Sequence, residues 1–256
     1  MSSNNLNRLE NKYVINKAQY DNIKKSIEPF MTMDAHYDQC MYHISNIYYD
    51  TEQNLIIKKS VSKPVFKEKL RLRGYGEIKC DDLLYLEIKK KVSGYVSKRR
   101  TKILQEEVDL MIDNHEMPKI EKYHHPQVLK EIFYYIEKYN VKPAIFLSYD
   151  REACFAIDNQ DLRLTFDFHI ITRRDHLNLC QGNLGKKLLS DDYCVMEIKT
   201  NQNFPYWLIE ILNKNKVYSV SFSKYGTEFY NYLNDHDLLK GGQKSCGLNP
   251  YLKALR

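Results

Sequence analysis

The sequence contains few of the residues that interrupt or cross-link a chain. Nine glycines and seven prolines in 256 residues exclude a collagen-like or linker-rich protein. Six scattered cysteines form no CxxC pair, so we expect reduced, mostly buried thiols rather than a disulfide framework or zinc site. No apolar run approaches the roughly 20 residues that span a bilayer, and no signal-peptide stretch begins the chain. We therefore expect a cytoplasmic protein that reaches a membrane only through a partner.

Positive charge is concentrated in one part of the chain. The formal net charge is only +6, but residues 58–102 contain fifteen Lys or Arg and five Asp or Glu. This segment therefore carries +10, which leaves −4 for the rest of the chain. Such a local excess favours an anionic partner.

Most of the sequence alternates with period two, which predicts β-strands. The predicted strands are 8–15, 41–50, 64–74, 83–92, 95–105, 144–158, 161–171 and 192–200. Apolar residues at helical spacing predict helices over 17–30, 126–140, 205–214 and 223–233. Asn16 is a candidate N-cap, and Pro126 suits the first turn of a helix. With no linker between these elements, the pattern indicates one α+β domain with a largely antiparallel sheet and helices packed outside it.

The predicted strands carry charge on one face and aliphatic residues on the other. In 66–73, Lys67, Lys69, Arg71 and Arg73 share one face and Leu70 and Leu72 occupy the other, because successive side chains of a strand point to opposite faces. Similar alternation recurs in 8–12, 85–91, 161–168 and 195–199. A solvated sheet face would also be polar, but solvent faces usually mix uncharged residues with both signs of charge.

A closed barrel would turn these aliphatic faces outward under the helices and line its interior with charge. Like charges in a confined space repel unless water or counterions screen them, so we expect a wet interior that holds a polyanion. The acidic residues on the same faces, Glu10, Glu87, Asp167 and Glu197, offset some of this repulsion and could hold a divalent cation, because Mg²⁺ at phosphate sites takes one or two carboxylates.

Eight segments, taken in order, resemble the VTC domain, the polyphosphate polymerase domain of the triphosphate-tunnel (CYTH-like) superfamily. They include Lys69-Leu70-Arg71-Leu72-Arg73, Tyr149-Asp150-Arg151-Glu152-Ala153, Met196-Glu197-Ile198-Lys199 and Ser221-Phe222-Ser223-Lys224-Tyr225-Gly226. The resemblance covers 8–232 and leaves 233–256 as a C-terminal tail. It is to the stand-alone bacterial form, since the extra domain and membrane helices of eukaryotic members have no counterpart here.

The resemblance implies an eight-stranded antiparallel barrel that forms a triphosphate tunnel. It also implies transfer of the γ-phosphoryl group of ATP onto inorganic polyphosphate, with Mn²⁺ or Mg²⁺ as cofactor. The residues implied as catalytic are Arg71, Arg73, Lys89 and Arg163. Those expected to bind phosphate or nucleotide, by motif or by shared strand face, are Lys12, Lys69, Lys98, Arg100, Arg151, Lys199, Ser223 and Lys224. The matching metal ligand is Glu197, with Glu10 as a second candidate.

Other functions fit the same residues. A triphosphatase would use water in place of the acceptor phosphate, and a non-catalytic module would bind polyphosphate or nucleotide without turnover. A nucleic-acid binder is disfavoured, because the basic residues alternate with aliphatic ones across distant strands instead of forming one basic helix. The sequence leaves the oligomeric state, the preferred nucleotide and the preferred metal open.

Overall fold

The computed structural model describes residues 9–34, 41–93 and 95–236. Ten strands lie within these ranges: β1 (Leu9–Asn16), β2 (Met31–Met33), β3 (Met41–Asp50), β4 (Phe66–Tyr75), β5 (Leu84–Val92), β6 (Tyr95–Ile103), β7 (Lys142–Ala156), β8 (Arg163–Arg173), β9 (Lys186–Lys187) and β10 (Tyr193–Thr200). Six α-helices accompany them: α1 (Lys17–Ile27), α2 (Leu55–Val61), α3 (Gln105–Asp109), α4 (Pro126–Tyr139), α5 (Tyr206–Lys214) and α6 (Lys224–Asp235). A π-helical turn, Leu110–Asn114, continues α3, and a short 3₁₀ turn covers Leu179–Gln181. The first residues of the predicted tail 233–256 belong to α6, which ends at Asp235, and the part from residue 237 onward lies outside the described residues.

The predicted α+β class and the antiparallel sheet are confirmed. The strand order is β1-β10-β8-β7-β3-β4-β5-β6, with β2 paired to β7 and β9 paired to β8. Within the described residues this path runs from β1 to β6 without a pairing that joins its ends. The predicted eight-stranded barrel is therefore corrected to a ten-stranded sheet that hydrogen bonding does not close.

All eight predicted strands are present, with small differences at their ends. The predicted helix 17–30 ends at Ile27, because a turn brings the Phe30 amide to the Ile27 carbonyl (2.9 Å) and β2 then pairs with β7. At the start of this helix, Asn16 Oδ1 accepts from the Gln19 amide (2.9 Å), and Gln19 Oε1 accepts from the Asn16 amide (3.0 Å). This reciprocal capping satisfies two of the orphan donors that begin a helix.

The chain divides into two compact units. Of the described residues, the central unit comprises 44–93, 95–148 and 171–186, and the terminal unit comprises 9–34, 41–43, 149–170 and 187–236. Each unit has its own apolar core. In the central unit, Leu70, Leu86 and Ile88 from the strands are buried together with Leu129 and Ile132 of α4.

In the terminal unit, the core lies between strands and two other helices. Leu164 and Ile198 are buried against Ile23 of α1 and Leu208 of α5. The aliphatic faces of the strands thus lie under helices in both units, as the alternation predicts. Because side chains alternate along a strand, the charged residues of the same strands are placed on the opposite face.

Candidate functional site

The charged face of β4, β5 and β6 carries a group of seven residues that we call the central cluster. Its members are Lys69, Arg71, Arg73, Glu87, Lys89, Lys98 and Arg100. Strand register places Arg71 opposite Glu87 and Glu87 opposite Arg100, so these three form one row across the sheet. Lys69 lies opposite Lys89, and Lys89 lies opposite Lys98, which makes the adjacent row entirely cationic.

Glu87 holds the central cluster together. Its carboxylate is 1% exposed and accepts from Arg71 Nε at 2.7 Å. Lys98 Nζ lies 2.6 Å from its other oxygen, and Arg73 Nε lies 4.0 Å away. Burial alone would raise the pKa of Glu87, but the charges of Arg71, Arg73 and Lys98 outweigh burial and lower its pKa to about 2. The carboxylate is therefore ionised at neutral pH and fixes three cations.

Lys98 has the opposite electrostatic balance. Burial lowers its pKa most strongly, the Glu87 carboxylate raises it, and Arg71 and Arg73 lower it again, with a net pKa of about 8. Lys98 therefore loses part of its charge just above neutrality unless an anion joins the cluster.

Polar neighbours on β3 and β5 orient the arginines. Arg71 Nη1 donates to the Tyr48 hydroxyl at 3.2 Å, and Arg73 Nε donates to Asn46 Oδ1 at 2.8 Å. The Arg100 guanidinium lies 4.6 Å from the centre of the Tyr85 ring, a cation–π distance. For Tyr48, burial would raise the pKa, but Arg71, Arg73 and Lys69 outweigh it and lower the pKa to about 7.

A second group of charges lies in the terminal unit and is called the terminal cluster. Its members are Glu10, Lys12, Arg151, Arg163, Asp167, Glu197, Lys199 and Lys224. On β1 and β10 the signs alternate across the pairing, since Glu10 lies opposite Lys199 and Lys12 lies opposite Glu197. Glu10 lies 3.1 Å from Lys12, and Glu197 forms an ion pair with Lys199 and lies 3.7 Å from Lys12. Burial would raise the pKa of Glu197, but Lys199 and Lys12 outweigh burial and lower it.

Asp167 is the anchor of the other half of the terminal cluster. This fully buried carboxylate accepts two hydrogen bonds from Arg151, at 2.6 and 2.8 Å, and forms an ion pair with Lys224. Burial would raise its pKa, but Arg151 and Lys224 outweigh burial and lower it to about 2. Both cations also lie near the Tyr149 ring, 5.0 Å away for Arg151 and 4.6 Å away for Lys224.

Arg163 shares the charged face of β8 with Asp167. Its Nη2 lies 3.7 Å from Asp34 and 3.4 Å from the Tyr42 hydroxyl, and its guanidinium lies 4.9 Å from the Phe155 ring. Arg163 Nε and the hydroxyl of the adjacent same-face residue Thr165 are buried, and among the described residues they have no hydrogen-bond partner. Buried polar atoms without partners are costly, so a ligand or water is expected beside them.

Ser223 has a structural contact in addition to its predicted phosphate contact. Its side-chain oxygen accepts from the Gly226 amide at 3.2 Å and caps α6. Lys224 follows as the first residue of that helix, so the cap positions the lysine that reaches Asp167.

The structure places every predicted site residue except Ser223 in one of the two clusters, while their roles stay predictions. Alternation places Asp167 on the same face as Arg163 and makes it a candidate cation ligand, whereas the structure pairs it with Arg151 and Lys224. Sequence reasoning did not select Tyr48 or Asn46 as site residues. For Tyr48 and Asn46 the contact depends on the register between β3 and β4, which the sequence does not specify.

The predicted metal ligands offer two carboxylates and no more. Within the described ranges, no three His, Cys, Asp or Glu side chains are grouped so as to hold a metal ion. Two carboxylates, Glu10 and Glu197, still fit a cation that takes most of its ligands from phosphate oxygens and water. Lys12 and Lys199 now lie beside both carboxylates, so such a cation would enter together with an anion that draws the lysines away.

Among the described residues, no helix has the length and apolar character needed to cross a membrane. A search of curated proteins found no match to the chain.

Several solved structures resemble the chain at low identity. A candidate adenylate cyclase from Bacillus halodurans is 16% identical, with 85% of this chain and 95% of that chain covered and a TM-score of 0.49. A candidate adenylyl cyclase from Hippeastrum, described as having a dominant triphosphatase activity, is 13% identical, with 88% and 96% covered and a TM-score of 0.49. A protein from Pyrococcus horikoshii is 13% identical, with 88% and 99% covered and a TM-score of 0.45. A shared activity does not follow from such values.

The sequence itself matches a family model. The model described as the VTC domain aligns with residues 7–231, almost the same range as the predicted 8–232. This match covers most of the chain and includes every member of both clusters. The chain belongs to the VTC domain family.

Proposed function

We propose that this protein is an ATP-dependent polyphosphate polymerase that transfers the γ-phosphoryl group of ATP onto the end of a polyphosphate chain. The observation that carries the proposal is the composition of the central cluster, in which six cations surround one buried carboxylate. Like charges directly opposite each other destabilise a sheet, and the row of Lys69, Lys89 and Lys98 holds three of them. A bound polyanion would relieve this repulsion, so the cationic row is suited to bind one.

The cations of the central cluster suit phosphoryl transfer. In this reaction a terminal oxygen of the polyphosphate attacks the γ-phosphorus, the bond from the γ-phosphorus to the bridging oxygen breaks, and ADP leaves. The attacking phosphate is already ionised at neutral pH, so the protein needs no strong base. Catalysis consists of alignment and stabilisation of charge on the equatorial oxygens. Arg71 and Arg73 supply planar forks of donors for those oxygens, and Glu87 and Asn46 hold the forks in place.

The terminal cluster suits the binding of phosphate together with a metal ion. It has five cations and three carboxylates, so its charge is more balanced than that of the central cluster. Arg163 Nε and the Thr165 hydroxyl offer buried donors to a phosphate oxygen. Glu10 and Glu197 would hold Mn²⁺ or Mg²⁺ once an anion has engaged Lys12 and Lys199. A cation held there would neutralise charge on the phosphate oxygens.

Product analysis tests the proposal. The protein is incubated with ATP and either Mn²⁺ or Mg²⁺, and the products are separated by length on a gel that resolves polyphosphate. We expect chains longer than three phosphates, and we expect R71A to lose at least about a hundredfold in rate, as is typical when a transition-state donor is removed. K58A removes an exposed lysine of α2 outside both clusters and serves as the matched control.

Three other outcomes would each overturn the proposal of a polymerase. Release of free phosphate or pyrophosphate alone, or turnover of tripolyphosphate without longer chains, would identify a triphosphatase. Tripolyphosphate binding that R71A weakens, without turnover of any nucleotide, would identify a binding module. If tripolyphosphate does not bind, or binds R71A as well as the wild type, neither reading of the central cluster survives.

A further inference from the structure

One end of the sheet formed by β4, β5 and β6 exposes a group of apolar side chains. Strand register places Phe66 opposite Val92 and Val92 opposite Tyr95, so these three form one row across the sheet. Their exposed fractions are 37%, 46% and 54%. Two sequence neighbours extend the row, since Val65 is 70% exposed and Val96 is 40% exposed. We call this group the apolar end.

The apolar end is separate from the core of the central unit. The next row on the same face of the sheet consists of Glu68, Lys90 and Ser97. Lys90 Nζ lies 3.4 Å from Glu68 and 2.8 Å from Glu131 of α4. The buried side chains of the core begin one row further on, with Leu70. The apolar end is therefore not part of that core, and adjoining exposed apolar side chains of this kind mark an interaction surface.

Lysines accompany the apolar end. Lys59 of α2 is exposed and places its Nζ 5.8 Å from the centre of the Phe66 ring. Lys63 is exposed in the segment between α2 and β4. The segments 55–67 and 89–98 together contain eight lysines and no Asp or Glu. This end of the sheet therefore combines apolar surface with charge of a single sign.

Backbone hydrogen bonds hold the apolar end in a fixed shape. The Ser93 amide, in the turn after β5, donates to the Val65 carbonyl at 2.9 Å and joins that turn to the start of β4. Phe66, Val92 and Tyr95 belong to regular antiparallel pairs. Binding therefore requires little ordering of these residues, which lowers its entropic cost.

We propose that the apolar end docks the protein directly on the surface of an anionic membrane. The apolar side chains enter the boundary between headgroups and acyl chains, where the amphipathic ring of Tyr95 is well suited. Lys59 and Lys63 lay their aliphatic stems along the apolar residues and keep their charges among the headgroup phosphates. The sequence alone predicts membrane contact only through a partner, whereas this surface requires none.

Composition favours a membrane over a protein partner. Lysine is depleted at interfaces between proteins, whereas lysines beside apolar and aromatic side chains are typical of binding to membrane surfaces. A second copy of the chain would bring two groups of lysines together, and like charges repel. An anionic membrane offers charge of the opposite sign to every lysine at this end.

Sedimentation of the full chain with lipid vesicles tests the proposal. The vesicles consist of phosphatidylcholine, with or without phosphatidylglycerol, and the bound fraction is measured at low and at high salt. We expect binding only when phosphatidylglycerol is present, and weaker binding at high salt because salt screens the charges. K59Q/K63Q should bind about fivefold more weakly for each lysine removed. V65S/Y95S should bind at least about tenfold more weakly, because two apolar side chains no longer enter the lipid.

Matched variants remove the same residue types elsewhere. Y206S changes a tyrosine of α5 that is 75% exposed, and K214Q changes an exposed lysine at the end of the same helix. Both should bind vesicles as the wild type does, and so should R71A, which alters the central cluster. V65S/Y95S and K59Q/K63Q change exposed side chains, so their melting temperatures should stay close to that of the wild type.

Several results would each overturn the proposal. The wild type could bind neither kind of vesicle, or bind both equally. V65S/Y95S could bind as well as the wild type while R71A loses binding, which would assign the lipid contact to the central cluster. A dimer in solution that V65S/Y95S separates would assign the apolar end to a contact between two copies of the chain.

Discussion

At the scale of single residues, Glu87 is the electrostatic centre of the central cluster. Its carboxylate is the one negative charge of the central cluster and contacts Arg71, Arg73 and Lys98. Removing one partner of a buried ion pair leaves an uncompensated charge, which costs more than the pair contributed. Its role is therefore to position the arginines and to permit their burial.

The low pKa of Glu87 makes stability depend on pH. Because the pKa falls from an ordinary 4.5 to about 2 on folding, the stabilisation is fully present above pH 4.5 and is lost as the pH falls towards 2. It is on the order of 3 kcal/mol. We expect E87Q to be less stable than the wild type by about this amount at pH 7, and the two to converge near pH 2.

Urea unfolding at several pH values would measure this difference. E77Q changes an exposed carboxylate in the turn after β4 and should follow the wild type throughout. A constant gap between E87Q and the wild type from pH 7 to pH 2 would contradict the account.

Lys98 makes anion binding depend on pH in the alkaline range, above pH 8. Its pKa is about 8 in the free protein, and a bound phosphate would raise it, so binding above pH 8 requires uptake of a proton. We expect the affinity for tripolyphosphate to fall by up to about tenfold per pH unit above 8. K98R keeps its charge over this range, so its affinity should fall less than that of the wild type between pH 7 and 9.5, and the fall that remains should reflect ionisation of Tyr48, whose pKa is about 7. Isothermal titration calorimetry would show the difference, and parallel pH profiles for both proteins would contradict it.

At the scale of elements, the start of α6 joins helix stability to the terminal cluster. Ser223 caps the helix, and Lys224 follows as its first residue. Replacing a serine N-cap with alanine costs about 1 kcal/mol. We therefore expect S223A to lower the free energy of unfolding by this amount.

A second serine offers a matched control for that measurement. Ser26 lies within α1, and its exposed hydroxyl donates only to the Asn22 carbonyl at 2.7 Å. S26A should change the free energy of unfolding by less than about 0.5 kcal/mol. Equal effects of S223A and S26A in chemical denaturation would contradict the capping role.

The sequence predicts long elements well and short ones poorly. Strands such as β4 and β5 carry enough alternating positions to reveal both their type and their faces. β2 has three residues and β9 has two, which is too few for any periodicity. These short strands form because a neighbouring strand, β7 or β8, offers hydrogen bonds at that position.

The same limit applies to the candidate site. Alternation predicts that Arg71, Glu87 and Arg163 stand on charged faces, because a face depends only on local spacing. Which acid meets which cation depends on strand register and on contacts between distant segments. Asp167 and Lys224 are 57 positions apart, and no local pattern joins them.

At the scale of the whole molecule, a net charge of +6 conceals two different environments. The central cluster has six cations against one carboxylate, and the terminal cluster has five against three. The division into two units leaves no trace in composition, because strands such as β3, β7 and β8 pass from one unit into the other without a linker. A sequence without linkers can therefore still build two apolar cores.

The alternation along β4 also protects the chain from a folding error. A shift of its pairing by one residue would exchange the two faces of the strand. Arg71 and Arg73 would then enter the core now filled by Leu70 and Leu72, and the leucines would face Glu87. Burial of unpaired guanidinium groups costs far more than a misplaced strand gains. A misaligned hairpin would therefore come apart and pair again. The arginines proposed to bind phosphate thus also select the correct register of β4 as the sheet forms.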